Sequence, residues 1–489
     1  MSMKHKFLLW PIVAGLILSS CQSGDTTGSE TSAAPLDTST EAEETEPASS
    51  LELLGEYDFG GETYTIVGRE YAKLGDLPSY EFVTDSENGD LVNDTVYKRN
   101  RIVEDQYNVT IECIQYDNNT AMNNVQKSQM AGDGAYDLVW SHINTMTSMV
   151  MKDLLANYYD MPVIDITKPW WNQLATESLT LNGRCYLQMN YIPFTGVMLS
   201  HCLYFNKNLA EEYSISDLYS LVQNDEWTFD RFSELAKQVS QDLNGDGEYD
   251  ENDLYGLAAS HGTSGVAFSI AMGTKPLKVN DDGSFELTMS SERNQNILEM
   301  INSLTSDSAT YLITDTSLEN DLAKLFAEGR ALFYSGFLTD SYQFFRDMDD
   351  DFGLLPFPKY DASQESYITT VTGGTGLLGI PKYVENPEMV GAVTEALAIE
   401  SYNYVYPAIY ETVFNEKLLR DDESREMFDI LMNGLEIDFG RTFKYTAYSD
   451  LIGDLVAKGS TDLASSAAAL EPAAEKHYSD VIELFYPEN

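Results

Sequence analysis

From about residue 60 onward, apolar and polar positions fall into short alternating runs separated by stretches of 3.6-residue periodicity. Tyr64-Thr65-Ile66-Val67-Gly68 reads as a short β-branched strand, and Val92 to Tyr107 as an amphipathic helix with Asn93 or Asp94 as N-cap. Val109 to Ile114 alternates as a second strand. A helix over Ala121–Met130 follows, then the strand Tyr136-Asp137-Leu138-Val139-Trp140 and a helix from Thr147 to Asn157. This β-α-β-α order predicts an α/β fold with a mostly parallel sheet flanked by helices on both faces. In such sheets ligands sit beyond the carboxyl ends of the strands, which marks Trp140 to Asn144 as a candidate site.

The amino-terminal pattern is of another kind. Lys4 and Lys6 precede an apolar run from Phe7 to Leu18, too short and too early for a stable membrane span, and Leu18-Ser19-Ser20-Cys21 closes it. These residues resemble the lipobox of bacterial lipoproteins. The resemblance implies that residues 1–20 are a signal peptide and that the Cys21 thiol carries a diacylglycerol. Residues 21–56 are rich in Ser, Thr and Glu and hold few large apolar residues, so they read as a disordered acidic tether lifting a folded body off the outer face of the cell membrane.

Charge narrows the partners. Lys and Arg number 29 against 79 Asp and Glu, a formal charge of −50 spread along the chain, which excludes nucleic acid and anionic lipid surfaces as partners. A body of this length predicts at least two lobes. Beyond Cys21 there are Cys113, Cys185 and Cys202, too widely spaced for a disulfide framework or a metal motif; free thiols are expected, with one bridge possible.

Leu203-Tyr204-Phe205-Asn206-Lys207, the helix start Glu226-Trp227-Thr228-Phe229, Phe326-Ala327-Glu328-Gly329-Arg330-Ala331-Leu332-Phe333, Asp351-Phe352-Gly353-Leu354-Leu355-Pro356-Phe357-Pro358, and Gly379-Ile380-Pro381 before Asn386-Pro387-Glu388 together resemble extracellular solute-binding protein family 1. Its members are sugar-binding lipoproteins of ABC importers with a periplasmic-binding-protein-like fold of type II. The strand here ends Phe-Asn-Lys where the family has Tyr-Asn-Lys. The resemblance implies two α/β lobes closing by a hinge, with 57–198 plus 330–372 in the N-terminal lobe and 199–329 plus 373–489 in the C-terminal lobe. It also implies a monomer that hands a carbohydrate to permease subunits without chemistry of its own. The abundant aromatics point to an oligosaccharide.

A sugar pocket needs aromatic platforms edged by polar groups. Trp170 and Trp171 follow Pro169 in an irregular stretch, and two adjacent indoles cannot easily face one core. Tyr334 and Phe337 follow the strand Ala331–Phe333, where the resemblance places a cleft aromatic. Trp140, Asn144, Tyr191 and Thr375 complete the candidate ligand-binding set, while Trp227 is read as pinning its helix to the lobe. One motif stands apart. Asp242, Asn244, Asp246, Asp250 and Asp253 fall at positions 1, 3, 5, 9 and 12 of a twelve-residue calcium loop, with Gly247 at 6 and the Glu248 carbonyl at 7, which predicts one structural Ca2+. Two rival functions carry less. A surface glycan receptor without a permease would share these features, and a glycoside hydrolase needs only two carboxylates. No Gly-x-Ser-x-Gly or His-Glu-x-x-His motif occurs.

Overall fold

The computed structural model describes residues 51, 54–70, 81–315, 318–415 and 422–487. The expected signal peptide, Cys21 and nearly all of the expected tether lie outside the described residues. In chain order the strands are β1 (Glu62–Arg69), β2 (Val109–Tyr116), β3 (Leu138–His142), β4 (His201–Asn206), β5 (Ser240–Gln241), β6 (Leu254–Ser260), β7 (Leu277–Val279), β8 (Phe285–Leu287), β9 (Thr310–Ile313), β10 (Ala331–Phe337), β11 (Phe352–Leu355) and β12 (Gly376–Gly379).

The first sheet runs β12-β3-β1-β2, with β1 parallel to β2 and β3, and β12 antiparallel to β3. The expected β-α-β-α order is present, through the helices α1 (Leu91–Tyr107), α2 (Asn118–Ala131) and α3 (Ile143–Met151). Asp90, not Asn93 or Asp94, caps α1 by accepting from the Asn93 N–H at 2.8 Å. Asp94 instead accepts from the Asn88 N–H of the preceding turn. Helix α3 starts directly after β3 and ends earlier than the periodicity suggests. Asp153 takes a left-handed conformation (φ 56°), and the chain turns so that Leu155 bridges Pro381 beside β12.

The second sheet runs β11-β4-β10-β6-β5, with β9 pairing β6 further along on the same side as β5. Strands β6, β9 and β10 are parallel, and β4 is antiparallel to β10 and β11. These pairings correct the lobe boundaries. Strands β10 and β11, expected with the first lobe, are built into the second sheet. Strand β12 and the helix Pro387–Glu400, expected with the second lobe, belong to the first: β12 pairs with β3, and Thr394 Oγ1 hydrogen-bonds the Tyr64 hydroxyl of β1 at 2.6 Å. Apolar periodicity reports that a strand is buried but not which sheet receives it.

The chain thus crosses between the lobes three times: over 190–200, over 356–375, and along a helical run in which the π-helix Ser401–Val405 joins Pro387–Glu400 to Tyr406–Asn415. Arg99 of α1, 1% exposed, ties the crossings together. Its guanidinium donates to the carbonyls of Glu81 (3.0 Å), Phe82 (2.8 Å) and Ile192 (3.2 Å) and to Ser401 Oγ (3.1 Å). Around it Val92, Val96, Phe194, Tyr334 and Ile409 join one apolar cluster. Trp227 is fully buried and donates to the Pro356 carbonyl at 2.8 Å, holding its helix to the second sheet as expected. Cys113, Cys185 and Cys202 are free thiols.

Candidate functional site

Because β6, β9 and β10 are parallel, their carboxyl ends share one edge of the second sheet, where β4 begins. A cavity of about 810 Å³ opens at that edge. Its walls include His201 at the start of β4, His261 after β6, Tyr334 and Phe337 of β10, and Phe344 of the next helix, with the crossing segment 370–374 along one side. A second chamber of about 110 Å³ continues from it past Val266, Ile270 and Lys444 to Ile143 and Asn144 at the start of α3. The space therefore lies between the lobes.

Strand ends of the first lobe hold the crossing segment that forms one wall of this cleft. Arg69, last in β1, hydrogen-bonds His142, last in β3, and donates to the Gly374 carbonyl at 2.6 Å. His142 Nδ1 donates to the Gly373 carbonyl at 3.1 Å. Burial, with the adjacent Arg69 charge, holds the His142 pKa below its usual value and keeps the ring neutral as an acceptor. In the second lobe Asp340 accepts from the Tyr334 hydroxyl (2.8 Å) and the Phe337 N–H (2.7 Å), and burial raises its pKa to about 7. His201 packs against Phe337 at a tilt of 54° with ring centroids 4.6 Å apart, and burial lowers its pKa to about 3. Among the described residues, Thr339 Oγ1 and His261 Nδ1 stand at the cavity wall without a hydrogen-bond partner. Apolar ring faces beside unpaired polar atoms suit a hydroxylated solute.

Two of these groups give stability opposite pH dependences. Folded Asp340 keeps a proton that the unfolded carboxyl, near 3.8, has shed, so its contribution falls as pH rises from there to about 7. Unfolded His201 takes a proton below 6.5 that the folded ring refuses down to about 3, so its contribution falls as pH drops through that window. Melting curves across pH should show His201→Gln losing part of the acid-side decline while the decline toward neutrality persists. An unchanged acid limb would refute the assignment.

Of the sequence candidates, Asn144, Tyr334 and Phe337 reach the cleft. Trp140 does not. It is 1% exposed inside the first lobe, packed on Phe82 at 5.4 Å and under Gly376, where a Cβ would come within 2.1 Å of its Nε1. Trp170 and Trp171 are likewise structural. Their indole N–H groups donate to the two oxygens of Glu395, at 2.7 and 3.0 Å, with Trp171 fully buried in the core and Trp170 half-buried against it. Tyr191 packs on Tyr406 at 4.4 Å in a tilted arrangement where two crossings meet, and Thr375 is fully buried just behind the cleft wall. His201, His261, Asp340 and Phe344 were missed. Applying the strand-end rule to β6 and β10 as well as to β3 would have pointed to His261 and to the helix after β10 that carries Asp340 and Phe344, whereas His201 stands at the start of β4, which reaches this edge only because it runs antiparallel to β10.

The Asp242–Asp253 loop joins β5 to β6 and contributes nothing to the cleft walls. Its acceptors are turned onto itself. Asp242 accepts from the N–H groups of Gly245 (2.6 Å) and Gly247 (2.8 Å), Asp246 from Glu248 N–H (2.8 Å) and the Asn244 amide (2.9 Å), and Asp250 from Asn252 N–H (2.8 Å). Asp253 is fully buried, with one oxygen on Leu243 N–H and the other on Asp250 N–H, both at 2.9 Å. Position 12, which a calcium loop needs as a bidentate ligand, is here an internal staple. Among the described residues no three His, Cys, Asp or Glu side chains gather to hold a metal, so this geometry does not fit the expected cage.

Solved structures share the architecture. They include an ABC transporter solute-binding protein from Thermotoga lettingae bound with α-D-tagatose (17% identity, TM-score 0.52, covering 86% of this chain and 100% of that one). Another is the galacto-N-biose/lacto-N-biose I-binding protein of the ABC transporter from Bifidobacterium longum in complex with lacto-N-biose (16%, 0.55, 86% and 98%). UgpB from Mycobacterium tuberculosis in complex with glycerophosphocholine is a third (12%, 0.54, 86% and 98%). At these identities the likeness establishes the two-lobed type II fold. No match was found among curated proteins. Residues 101–394, more than half of the chain, match the family of bacterial extracellular solute-binding proteins, and to that family of binding proteins, which are not enzymes, this chain belongs.

Proposed function

We propose that this protein captures a carbohydrate, an oligosaccharide in particular, in the interlobe cleft and delivers it as a monomer to the permease of an ABC importer, from the outer face of the membrane where a lipid on Cys21 holds it. The cleft itself carries the reading: Phe337 and Phe344 supply apolar faces, and Thr339 Oγ1 and His261 Nδ1 supply unpaired polar atoms beside them. The sugar-bound neighbours support it, as does the family's extracellular location.

Ligand that binds only the native state must raise its melting temperature, so a saccharide panel tests the reading directly. For a saccharide that binds, calorimetry on Phe337→Ala should show a loss above ~2 kcal/mol, the usual cost of truncating an aromatic anchor. A panel without any stabilising saccharide would overturn the proposal. Loss of uptake of that saccharide on deleting the gene separates delivery to a permease from a receptor role. For the anchor, Cys21→Ala should abolish incorporation of labelled fatty acid and release the protein from membranes; retention in the membrane fraction would refute it.

A further inference from the structure

The main chamber of the cleft holds negative charge that the fold does not compensate. Its walls carry the carboxyl groups of Glu319, Asp340, Asp450 and Asp454 against a single Lys or Arg, Lys444. Asp340 is committed to the Tyr334 hydroxyl and the Phe337 N–H. Asp450 lies 2.6 Å from Lys444 and 3.5 Å from Arg441, and Lys275 beyond them is paired with Glu436 and, at 3.9 Å, with Asp438. That network sets three cations, Lys275, Arg441 and Lys444, against three carboxylates. Arg69 does not line the chamber; it stands behind the crossing segment, on His142 and the Gly374 carbonyl. Glu319 and Asp454 remain, and among the described residues no cation pairs with either.

Both are tied to one turn of the second lobe. Glu319, first in the helix Glu319–Ala327, accepts through Oε1 from the Ser260 hydroxyl (3.1 Å) and from the hydroxyl of Thr263, which opens the helix Thr263–Ala271. Among the described residues its Oε2 has no partner. Asp454 is exposed and follows Gly453, which packs so closely on the helix Thr263–Ala271 that a Cβ there would come within 2.7 Å of the Val266 side chain and 3.6 Å of the Gly262 carbonyl. His261 belongs to the same turn. Its ring donates Nε2–H to the Thr314 carbonyl at 2.7 Å, which leaves Nδ1 an acceptor without a donor. Thr339, 4% exposed, adds a hydroxyl without a partner to the chamber wall, and Phe337 and Phe344 add half-buried rings. These acceptors do not gather into a metal cage. An organic ammonium, with three donors and an attraction to aromatic faces, matches them.

We infer that the main chamber selects a saccharide bearing a free amino group, whose ammonium sits against Glu319 and Asp454 while its ring packs on the cleft aromatics. The inference rests on the carbohydrate reading for the sugar, though not for the cation contact itself. Closing the lobes on a neutral N-acetyl sugar would desolvate these two carboxylates without a counter-charge, which costs affinity. An acidic saccharide would be rejected more strongly still, by like charge.

Glucosamine, galactosamine, mannosamine and chitosan oligosaccharides, each beside its N-acetyl counterpart, vary the charge at constant sugar shape. On the full chain at matched ionic strength, the amino form should raise the melting temperature more than the acetylated form, and calorimetry should give it the higher affinity. Glu319→Gln and Asp454→Asn should each lower that affinity ratio roughly tenfold, as expected for one charge-assisted contact, and Asp454→Lys, at an exposed position, should abolish the preference. Neutral saccharides that bind as tightly as the amino forms, or a ratio indifferent to all three substitutions, would overturn the inference and leave the carbohydrate reading standing. Spermidine separates the two claims. If it stabilises the protein through Glu319 and Asp454 while no saccharide binds, the cation subsite stands and the carbohydrate reading falls; if neither the amino sugars nor spermidine stabilise the protein, the subsite itself is overturned.

Discussion

Trp171→Ala is expected to cost about 3–5 kcal/mol of folding stability, the range for deleting a large buried aromatic, while the affinity of the folded protein for its ligand stays the same. The ring is fully buried, packs edge-on against Tyr158 at 5.6 Å, and donates its N–H to Glu395. Its removal leaves a cavity and takes one of three donors from a carboxyl that burial has already raised to about 7; the remaining donors are the Trp170 indole and the Asp165 N–H at 3.4 Å. Urea denaturation measures the first effect and calorimetry the second. Trp171→Phe, which keeps most of the ring and loses the donor, should cost only about 1–2 kcal/mol. Unchanged stability with lost affinity would return this tryptophan to the binding site.

Arg99→Met should destabilise by a similar amount, about 3–5 kcal/mol, because it strands the buried Glu81 and Ile192 carbonyls, while the Phe82 carbonyl keeps the Asn100 amide as donor at 2.7 Å. Burial lowers the Arg99 pKa to about 9, so the group is still charged at neutral pH, and its planar fork reaches the carbonyls of Glu81, Phe82 and Ile192 and the Ser401 hydroxyl at once. A lysine ammonium cannot span these directions, so Arg99→Lys should rescue little. Since Ile192 and Ser401 lie in two different crossings, the folded fraction of either variant should also show a wider spread of interlobe distances by small-angle scattering. A variant as stable as the parent, with the same scattering profile, would show that the joint does not depend on this residue.

The first lobe was legible because its elements are local and consecutive. Tyr64–Gly68, Val92–Tyr107 and Val109–Ile114 bury apolar stripes whose spacing announces strand or helix, and the order β-α-β-α fixes a parallel sheet. The candidate site was legible in part. Tyr334, Phe337 and Asn144 lie at strand ends or just past them, where position along the chain already implies position at the cleft. Trp170 and Trp171 misled because the residue that receives their N–H groups, Glu395, is more than two hundred positions away. The Asp242–Asp253 spacing likewise describes ligand order but not where each oxygen points, and Asp253 is spent on the loop's own amides.

By itself the sequence determined the α/β class, the solute-binding family and most of the individual elements, since these follow from short-range periodicity and from motifs in a fixed order. Only the tertiary structure decided which sheet receives β10, β11 and β12, how many times the chain crosses between the lobes, and which aromatics face the cleft and which face the core. The physical reason is common to all three. Burial of a strand or a ring is written in its own composition, whereas the identity of what buries it depends on partners brought together across long stretches of chain, such as Thr394 against Tyr64 or Glu395 against the paired indoles.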